Sequence, residues 1–348
     1  MHSPVTNENI ANDPKSVVLP APGSLLHGLG MQVWLLVKAS LQQSVPVMLL
    51  YVLESNGSSP GRRGFSMAVN ADGDMAGSIG GGIMEHKFVE MAKERLNTTG
   101  EIRSAVKKQV HDKSVAKDQS GMICSGDQTI LLYPVRPSDI QPVREIIACL
   151  ETWKNGTLEL SPAGLHFSME VPIIDDSFTM LSQSDWLYTE KLGYKNHLYI
   201  IGGGHCALAL SKLMSSIDFY IHLFDDRVSL NTMQQNFYAH EKKFIGDYNE
   251  LTNLIAPGNN HFVVVMTFGY RTDDIAIRAL LGKSFAYFGV LGSKKKMEKL
   301  FSDYIAEGIS EALIKKIHAP VGLAINSRTP EEIAVSIAAK IIQVKNHD

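Results

Sequence analysis

The apolar positions fall into two patterns along the chain. From residue 196 onward, short and almost uniformly apolar runs alternate with segments of helical spacing. Runs at 198–201, 220–224, 261–266 and 285–290 predict strands, and 207–215, 273–281 and 329–344 predict helices. Uniform apolar character is what a parallel sheet covered on both faces requires. The last helix carries a strong start signal: Thr329 suits the N-cap, Pro330 the first helical position, and Glu332 completes a capping box. Upstream, the spacing predicts a helix over 25–43, a buried strand over 47–53 and a short strand at 67–69 closed by the turn 71–74. A helix over 83–96, strands at 107–110 and 129–133 and a helix over 138–154 follow. Residues 155–195 mix Gly, Pro and Ser with alternating stretches such as 186–192. The pattern therefore predicts an α/β protein: a flexible polar tail (1–20), an N-terminal α/β domain (21–155), a strand-rich connection (156–195) and a Rossmann-like C-terminal domain with a mostly parallel sheet (196–348).

Charge adds an exclusion. The 348 residues carry 33 Lys and Arg against 36 Asp and Glu, a net charge of −3. That balance argues against binding nucleic acid by bulk charge. The three cysteines, Cys124, Cys149 and Cys206, form neither a disulfide framework nor a C-x-x-C zinc pair. The start of the chain lacks a secretory pattern and no apolar run approaches membrane-spanning length, so a cytoplasmic protein is expected. The twelve histidines are dispersed, and there is no H-E-x-x-H, G-x-S-x-G or Walker loop.

Candidate chemistry gathers in loops. Gly202-Gly203-Gly204-His205-Cys206-Ala207 fits G-x-G-x-x-A between a strand and a helix. Gly202 suits a tight turn, Gly204 close approach to a pyrophosphate, and Ala207 close helix–strand packing. Asp225 and Asp226 follow the second strand, near the spacing of a ribose-binding acid, with Arg227 beside them. His205 is either a ligand contact or a solvent-facing residue at the helix start. The alternative for the whole loop is a packing turn. A second glycine loop, 77–82, ends in Gly80, Gly81 and Gly82 and leads into a helix with Glu85 in its first turn. Bare backbone there suits a ligand; otherwise it is a tight turn with Glu85 complementing the helix dipole. Loop 56–64 adds Ser58, Ser59, Arg62 and Arg63, which suit an oxyanion. Gly292, Ser293 and Lys294 follow the strand ending at 290 and are a further anion candidate, or else the start of a basic helix face. Cys124, in the small polar loop 121–126, is the best placed thiol for soft-metal or sulfur chemistry. His318 sits in a predicted turn, either toward the glycine loop's cleft or as an ordinary loop histidine.

Several of these stretches together resemble one family. Residues 57–86, GSSPGRRGFSMAVNADGDMAGSIGGGIMEH, are similar to the N-terminal signature of the xanthine dehydrogenase accessory proteins, the XdhC/CoxI family. LYIIGGGHCALAL (198–210), LFDDR (223–227), FGVLGSKKKMEKL (288–300) and the stretch 317–342 resemble that family's Rossmann-type domain and late motifs. The resemblance implies an accessory protein that binds the molybdenum cofactor (molybdopterin) as cargo and assists its sulfuration and insertion into a molybdenum hydroxylase of the xanthine dehydrogenase type. It implies a cofactor site at Ser59, Arg62, Gly80, Gly81, Gly82, Glu85 and Cys124, with Cys124 toward molybdenum. A cysteine desulfurase becomes an expected partner, and NAD(P) an expected ligand of Gly202, Gly204, His205, Ala207, Asp225 and Asp226. Two other readings stand beside it: an NAD(P)-dependent oxidoreductase, whose proton donor would be His205, Tyr270 or His318, and a nucleotide-sensing regulator. A homodimer is expected because two-fold dimers are the commonest closed assembly. The chain departs from the family pattern at Thr267-Phe268-Gly269-Tyr270, where some relatives carry Thr-His-x-His, and at Ala324 and Asn326, where Asp and Gly are expected.

Overall fold

The computed structural model describes residues 30–110, 126–172 and 176–346. The first unit is built on an antiparallel sheet of β1 (Val47–Gly57), β2 (Ser66–Asn70), β3 (Met75–Gly77), β4 (Ala105–Val110) and β5 (Gly126–Pro134), in the order β3-β2-β1-β5-β4. β1 is central because it is apolar on both faces. Met48, Leu50 and Val52 join one core layer, and Leu49, Tyr51 and Leu53 the other. Three helices, α1 (Met31–Gln42), α2 (Gly82–Leu96) and α3 (Ile140–Glu151), cover those layers. α2 lays Met84, Phe88, Val89, Ala92 and Leu96 on the first, while α1 and α3 pack on the second.

Several boundaries shift for identifiable reasons. The helix expected over 25–43 runs from Met31, and residues 25–29 lie outside the described residues, as do the tail 1–20 and Cys124. The helix expected to reach 154 stops at Glu151, because Trp153 takes a left-handed conformation with φ 57°. β1 runs past 53 into polar residues because β5 continues beside it after a register shift between Val52 and Glu54. β3 has three residues, too few for an alternation to register.

The segment expected as a connection forms a second antiparallel sheet, β6 (Gly156–Ser161), β7 (Gly164–Ser168), β8 (Asp176–Ser182) and β9 (Asp185–Leu192), in the order β7-β6-β9-β8. Trp186, Tyr188, Glu190 and Leu192 alternate on the buried face of β9. Leu158, Leu160, Leu165 and Phe167 complete that face, which shares one core with α1, α3 and β1.

The C-terminal unit runs β10 (Asn196–Ile201), α4 (His205–Met214), β11 (Phe219–Asp225), α5 (Asn231–Gln234), β12 (Glu241–Phe244), α6 (Leu251–Leu254), β13 (Gly258–Val265), α7 (Tyr270–Leu280), β14 (Phe285–Val290), α8 (Lys294–Ala306), α9 (Glu311–Ile314) and α10 (Pro330–Lys345). The strands are all parallel, in the order β12-β11-β10-β13-β14, which is a Rossmann sheet. α4 and α10 cover one face, and α6 to α9 pack on the other. The predicted capping box opens α10: Thr329 Oγ1 accepts from Glu332 N at 3.2 Å, and Glu332 accepts from Thr329 N at 3.2 Å. β12 is exposed along its length, so no apolar run marked it in the sequence. Strand order reverses between β10 and β13, where ligands of open α/β sheets bind. Among the described residues, no helix is long and apolar enough to cross a membrane.

All three tryptophans, Trp34, Trp153 and Trp186, precede the Rossmann sheet. Leu158→Ala, which hollows the shared core, should therefore cost about 2–5 kcal/mol and lower the urea midpoint seen by tryptophan fluorescence. A midpoint equal to wild type would show that the second sheet adds nothing to the core of the first unit.

Candidate functional site

The two N-terminal loops clasp each other backbone to backbone. A Cβ on Gly61 would lie 2.1 Å from Ile79 O, and one on Gly80 would lie 2.4 Å from Gly61 N. Only glycines permit that approach. The Ser55 and Ser59 hydroxyls lie 2.7 Å apart, and Gly61 O lies 2.8 Å from the first and 3.2 Å from the second, so one serine donates to the other and the other to Gly61 O. Arg62 Nη1 donates to Gly57 O at 3.2 Å and Ser59 O at 3.1 Å, so the guanidinium braces its own loop. Arg63 turns away to Asp176 at 2.7 Å. Glu85 Oε2 accepts from Ser78 Oγ at 2.6 Å, Ile79 N at 2.9 Å and Gly81 N at 3.1 Å. The start of α2 thus holds a carboxylate of its own. Gly81 and Gly82 have positive φ, and nothing lies within 4 Å of where their Cβ atoms would be.

The fold therefore brings together Ser59, Arg62, Gly80, Gly81, Gly82 and Glu85. Gly126, the first described residue after the loop that holds Cys124, pairs with Gly57, and a Cβ there would lie 2.9 Å from Ser59 N. One residue was missed by sequence reasoning. Gln128 on β5 is fully buried beneath Gly61, its Nε2 2.4 Å from where a Gly61 Cβ would lie. Neither Gln128 Oε1 nor Nε2 has a hydrogen-bond partner among the described residues. The available signal was a polar side chain on the same strand face as buried Ile130 and Leu132.

At the Rossmann loop, Gly202 has φ 108°, and a Cβ would lie 2.3 Å from Met266 O. Gly204, at the N-cap of α4, has open space where a Cβ would be, and His205 is exposed. Ala207 is buried at the helix–sheet contact, as the motif requires.

Asp225 does something other than expected. It is fully buried, and its oxygens accept from Gly203 N (2.6 Å), Arg227 N (2.8 Å), Arg227 Nε (2.9 Å) and Arg227 Nη2 (2.7 Å). Four donors fill a carboxylate's capacity, so Asp225 ties the glycine loop to β11 and offers nothing to a ribose. Burial pushes its pKa up, but the Arg227 guanidinium and the Gly203 and Arg227 N–H groups outweigh that and hold it below the usual value. Asp226 is exposed and accepts from Tyr248 OH at 3.1 Å. Phe268, where the resemblance led one to expect a histidine, is 84% exposed beneath the Arg227 guanidinium. Asn326 has φ 58°, a conformation asparagine tolerates where the family's glycine was expected.

The third cluster divides. Ser293 caps α8 by accepting from Lys296 N at 3.3 Å, and Gly292 packs against Met297. Lys296 pairs with the buried carboxylate of Asp273, whereas Lys294 reaches only Glu298 at 3.9 Å and is otherwise in solvent. His318 is no free turn residue. Its N–H donates to Phe288 O, its carbonyl accepts from Val290 N, and its ring stacks on Tyr287 at 4.7 Å. Burial, with Lys340 second, lowers its pKa. Histidines dispersed in sequence do meet: His197 Nδ1 lies 3.1 Å from His222 Nε2, and His222 Nδ1 lies 3.0 Å from Glu241. Burial, then His222, pushes His197 down to about 4. Among the described residues, no group of three His, Cys, Asp or Glu side chains is arranged to hold a metal.

Two family models match the chain: the XdhC and CoxI family over residues 40–105 and the XdhC Rossmann domain over 198–341. Over 313 residues the chain is 26% identical to the uncharacterized protein YqeB of Escherichia coli, covering 88% of this chain and 45% of that protein. It thus spans less than half of that relative's length. A probable xanthine dehydrogenase subunit from Bacillus subtilis is 21% identical over 333 residues, covering 88% of this chain and 96% of the relative. A crystal structure described as a xanthine dehydrogenase from Bacillus halodurans superposes with a TM-score of 0.64 at 23% identity, covering 89% of this chain and 94% of that one. It shares the fold.

The Asp225 network sets a pH expectation. Its folded pKa lies below the unfolded value of about 3.9, so its stabilisation is complete above that pH and is lost as pH falls through the folded pKa. Asp225→Asn should cost about 1.5–3 kcal/mol at neutral pH and should flatten the acid limb of a far-UV melting series. An acid limb identical to wild type would remove Asp225 from that role.

Proposed function

The chain belongs to the XdhC and CoxI family, and from that premise we propose that it is an accessory factor of the xanthine dehydrogenase system. It binds the molybdenum cofactor as cargo, assists its sulfuration and passes it to a molybdenum hydroxylase. The observation that supports this most is the Gln128 amide, a buried donor and acceptor left without partners beneath the two clasped loops. An unmet buried amide costs free energy, and a polar cargo seated when the clasp opens would relieve it. The donor set also fits a pterin with a phosphate. Gly81 and Gly82 offer bare backbone, and Arg62, in the loop clasped against theirs, is exposed. Cys124, two residues before Gly126 in the chain, supplies a soft thiolate for molybdenum or its sulfur. In this reading a cysteine desulfurase provides the sulfur, and the factor works in the cytoplasm as a homodimer without turnover of its own.

The open Gly204 backbone favours a second role, binding of a dinucleotide of the NAD(P) type that regulates delivery. With Asp225 consumed internally, the ribose falls to Asp226.

Protein isolated from cofactor-producing cells should carry molybdenum and pterin in proportion to chain. Cys124→Ala should lower the retained metal by roughly tenfold or more. Wild-type protein without pterin, and without effect on maturation of a molybdenum hydroxylase, would overturn the reading. Equilibrium dialysis with NAD tests the second role. Binding that Gly204→Val abolishes is expected, and binding that the variant leaves unchanged, or no binding at all, would make the loop a packing turn.

A further inference from the structure

The N-terminal unit and the Rossmann domain meet at a buried histidine. His240 immediately precedes β12 and is 7% exposed. Its backbone N–H donates to Ile221 O at 3.0 Å, and its Nδ1 accepts from Ile221 N at 2.9 Å. The other ring nitrogen, Nε2, lies 2.7 Å from the hydroxyl of Tyr194, in the connection between β9 and β10. Three aromatic rings surround the imidazole. Tyr220 on β11 stacks on it at 4.7 Å, and Tyr194 meets it edge-on at 4.6 Å. Trp153, from the turn after α3, meets it edge-on at 5.5 Å. A Rossmann side chain is thus held by the interdomain connection and by the N-terminal unit. The connection continues into Lys195 and Asn196, which line a cavity of about 510 Å³ between the units, together with Tyr51, Glu190 and, from the second glycine loop, Gly77 and Ser78.

These contacts admit one protonation state. An amide N–H can only donate, so Nδ1 keeps its lone pair, and Nε2 carries the proton that it donates to Tyr194 OH. A proton added at Nδ1 would face the Ile221 N–H and leave two buried donors without an acceptor, which costs free energy. Both ring nitrogens are used, and neither partner is a carboxylate that would hold an imidazolium in place. The charged and titratable groups around the ring are Tyr194 of the connection, Tyr220 and His222 of β11, His197 of β10 and Glu241 of β12. The turn after α3 brings the uncharged Trp153 ring.

We propose that His240 is a proton-operated latch between the two units: neutral, it closes on Tyr194 and Trp153, and protonated, it releases them and frees the cavity to widen. The latch stands whether or not the protein carries the molybdenum cofactor. Burial, with His222 next, pushes the closed imidazole down to about 4, and Glu241 opposes them. A released imidazole titrates at about 6.5. The closed state therefore has its full advantage above about 6.5 and loses about tenfold per pH unit below it. That loss is complete as pH falls through the closed value of about 4. Glu190 has the opposite sign: burial raises its carboxyl, so falling pH favours its closed surroundings.

The test is hydrogen exchange of the Ile221 amide in the full chain from about pH 7.5 to about pH 5, spanning the free imidazole value and corrected for the intrinsic pH dependence of exchange. Protection of Ile221 should fall by about tenfold per pH unit below about 6.5. His240→Gln keeps an acceptor for the Ile221 N–H and a donor for Tyr194 OH but does not titrate, so its corrected protection should stay flat. Tyr194→Phe removes the hydroxyl, and Trp153→Asn removes the ring with a residue that tolerates the left-handed backbone there. Each should lower Ile221 protection at neutral pH by roughly fivefold and keep the slope, so the test stays decisive if His240→Gln misfolds. Protection independent of pH in wild type, or the wild-type slope in His240→Gln, would overturn the latch. Protection unchanged by both Tyr194→Phe and Trp153→Asn would overturn it too, by confining the proton's effect to the Rossmann sheet.

Discussion

The carboxylate of Glu190 joins the parts of the molecule. It sits on the last strand of the second sheet and accepts from Tyr51 on the central strand of the first, from Tyr188 on its own strand, and faces Lys195 at the start of the Rossmann domain. A buried carboxylate is costly without partners, and one of these three, Tyr51, comes from 139 residues away in the chain. Burial also pushes both tyrosines upward, so they remain neutral donors to it. Meeting that one buried group requires the second sheet to lie against the first, with the chain entering β10 close by. The interdomain cavity and its wall follow from this arrangement.

A second regularity runs through the loops. The two glycine loops at helix starts each have an internal carboxylate satisfying part of their backbone: Glu85 at the start of α2 and Asp225 at the Rossmann loop. Asp273 does the same for the turn after β13, through Thr267 N at 3.1 Å, and takes Lys296 as its counter-ion. Such bracing shapes a loop before any ligand arrives and narrows what remains for one. Space for a ligand remains beside Gly81, Gly82, Gly204 and Gly269, and among the described residues of the N-terminal loops the unmet buried amide is Gln128.

The Rossmann domain was legible because its strands carry their burial in their composition. Residues 198–201 and 285–290 are apolar enough to mark strands without any knowledge of neighbours, and Thr329, Pro330 and Glu332 mark a helix start by local chemistry. β3 and β12 were not legible, one being three residues long and the other exposed throughout. The region 156–195 shows its strands in its alternation, but alternation states only that one face is buried, not against what. Among the candidate residues, Ser59, Arg62, Gly80 and Glu85 were grouped by motif and do converge. The internal use of Arg62 and Asp225 was hidden, because hydrogen-bond partners are set by geometry.

By itself, the sequence determined the strand and helix periods, the two glycine loops at helix starts, and the family signature spread over both halves. Those depend on residues near one another in the chain, where side-chain type and spacing act directly on the backbone. Only the tertiary structure decided that the second sheet shares the first unit's core, that Asp225 faces inward, that Gln128 is stranded under the loop clasp and that Glu190 walls a cavity between the domains. These depend on contacts such as Tyr51 with Glu190, 139 residues apart. The burial that makes such contacts strong exists only after distant segments have closed over them.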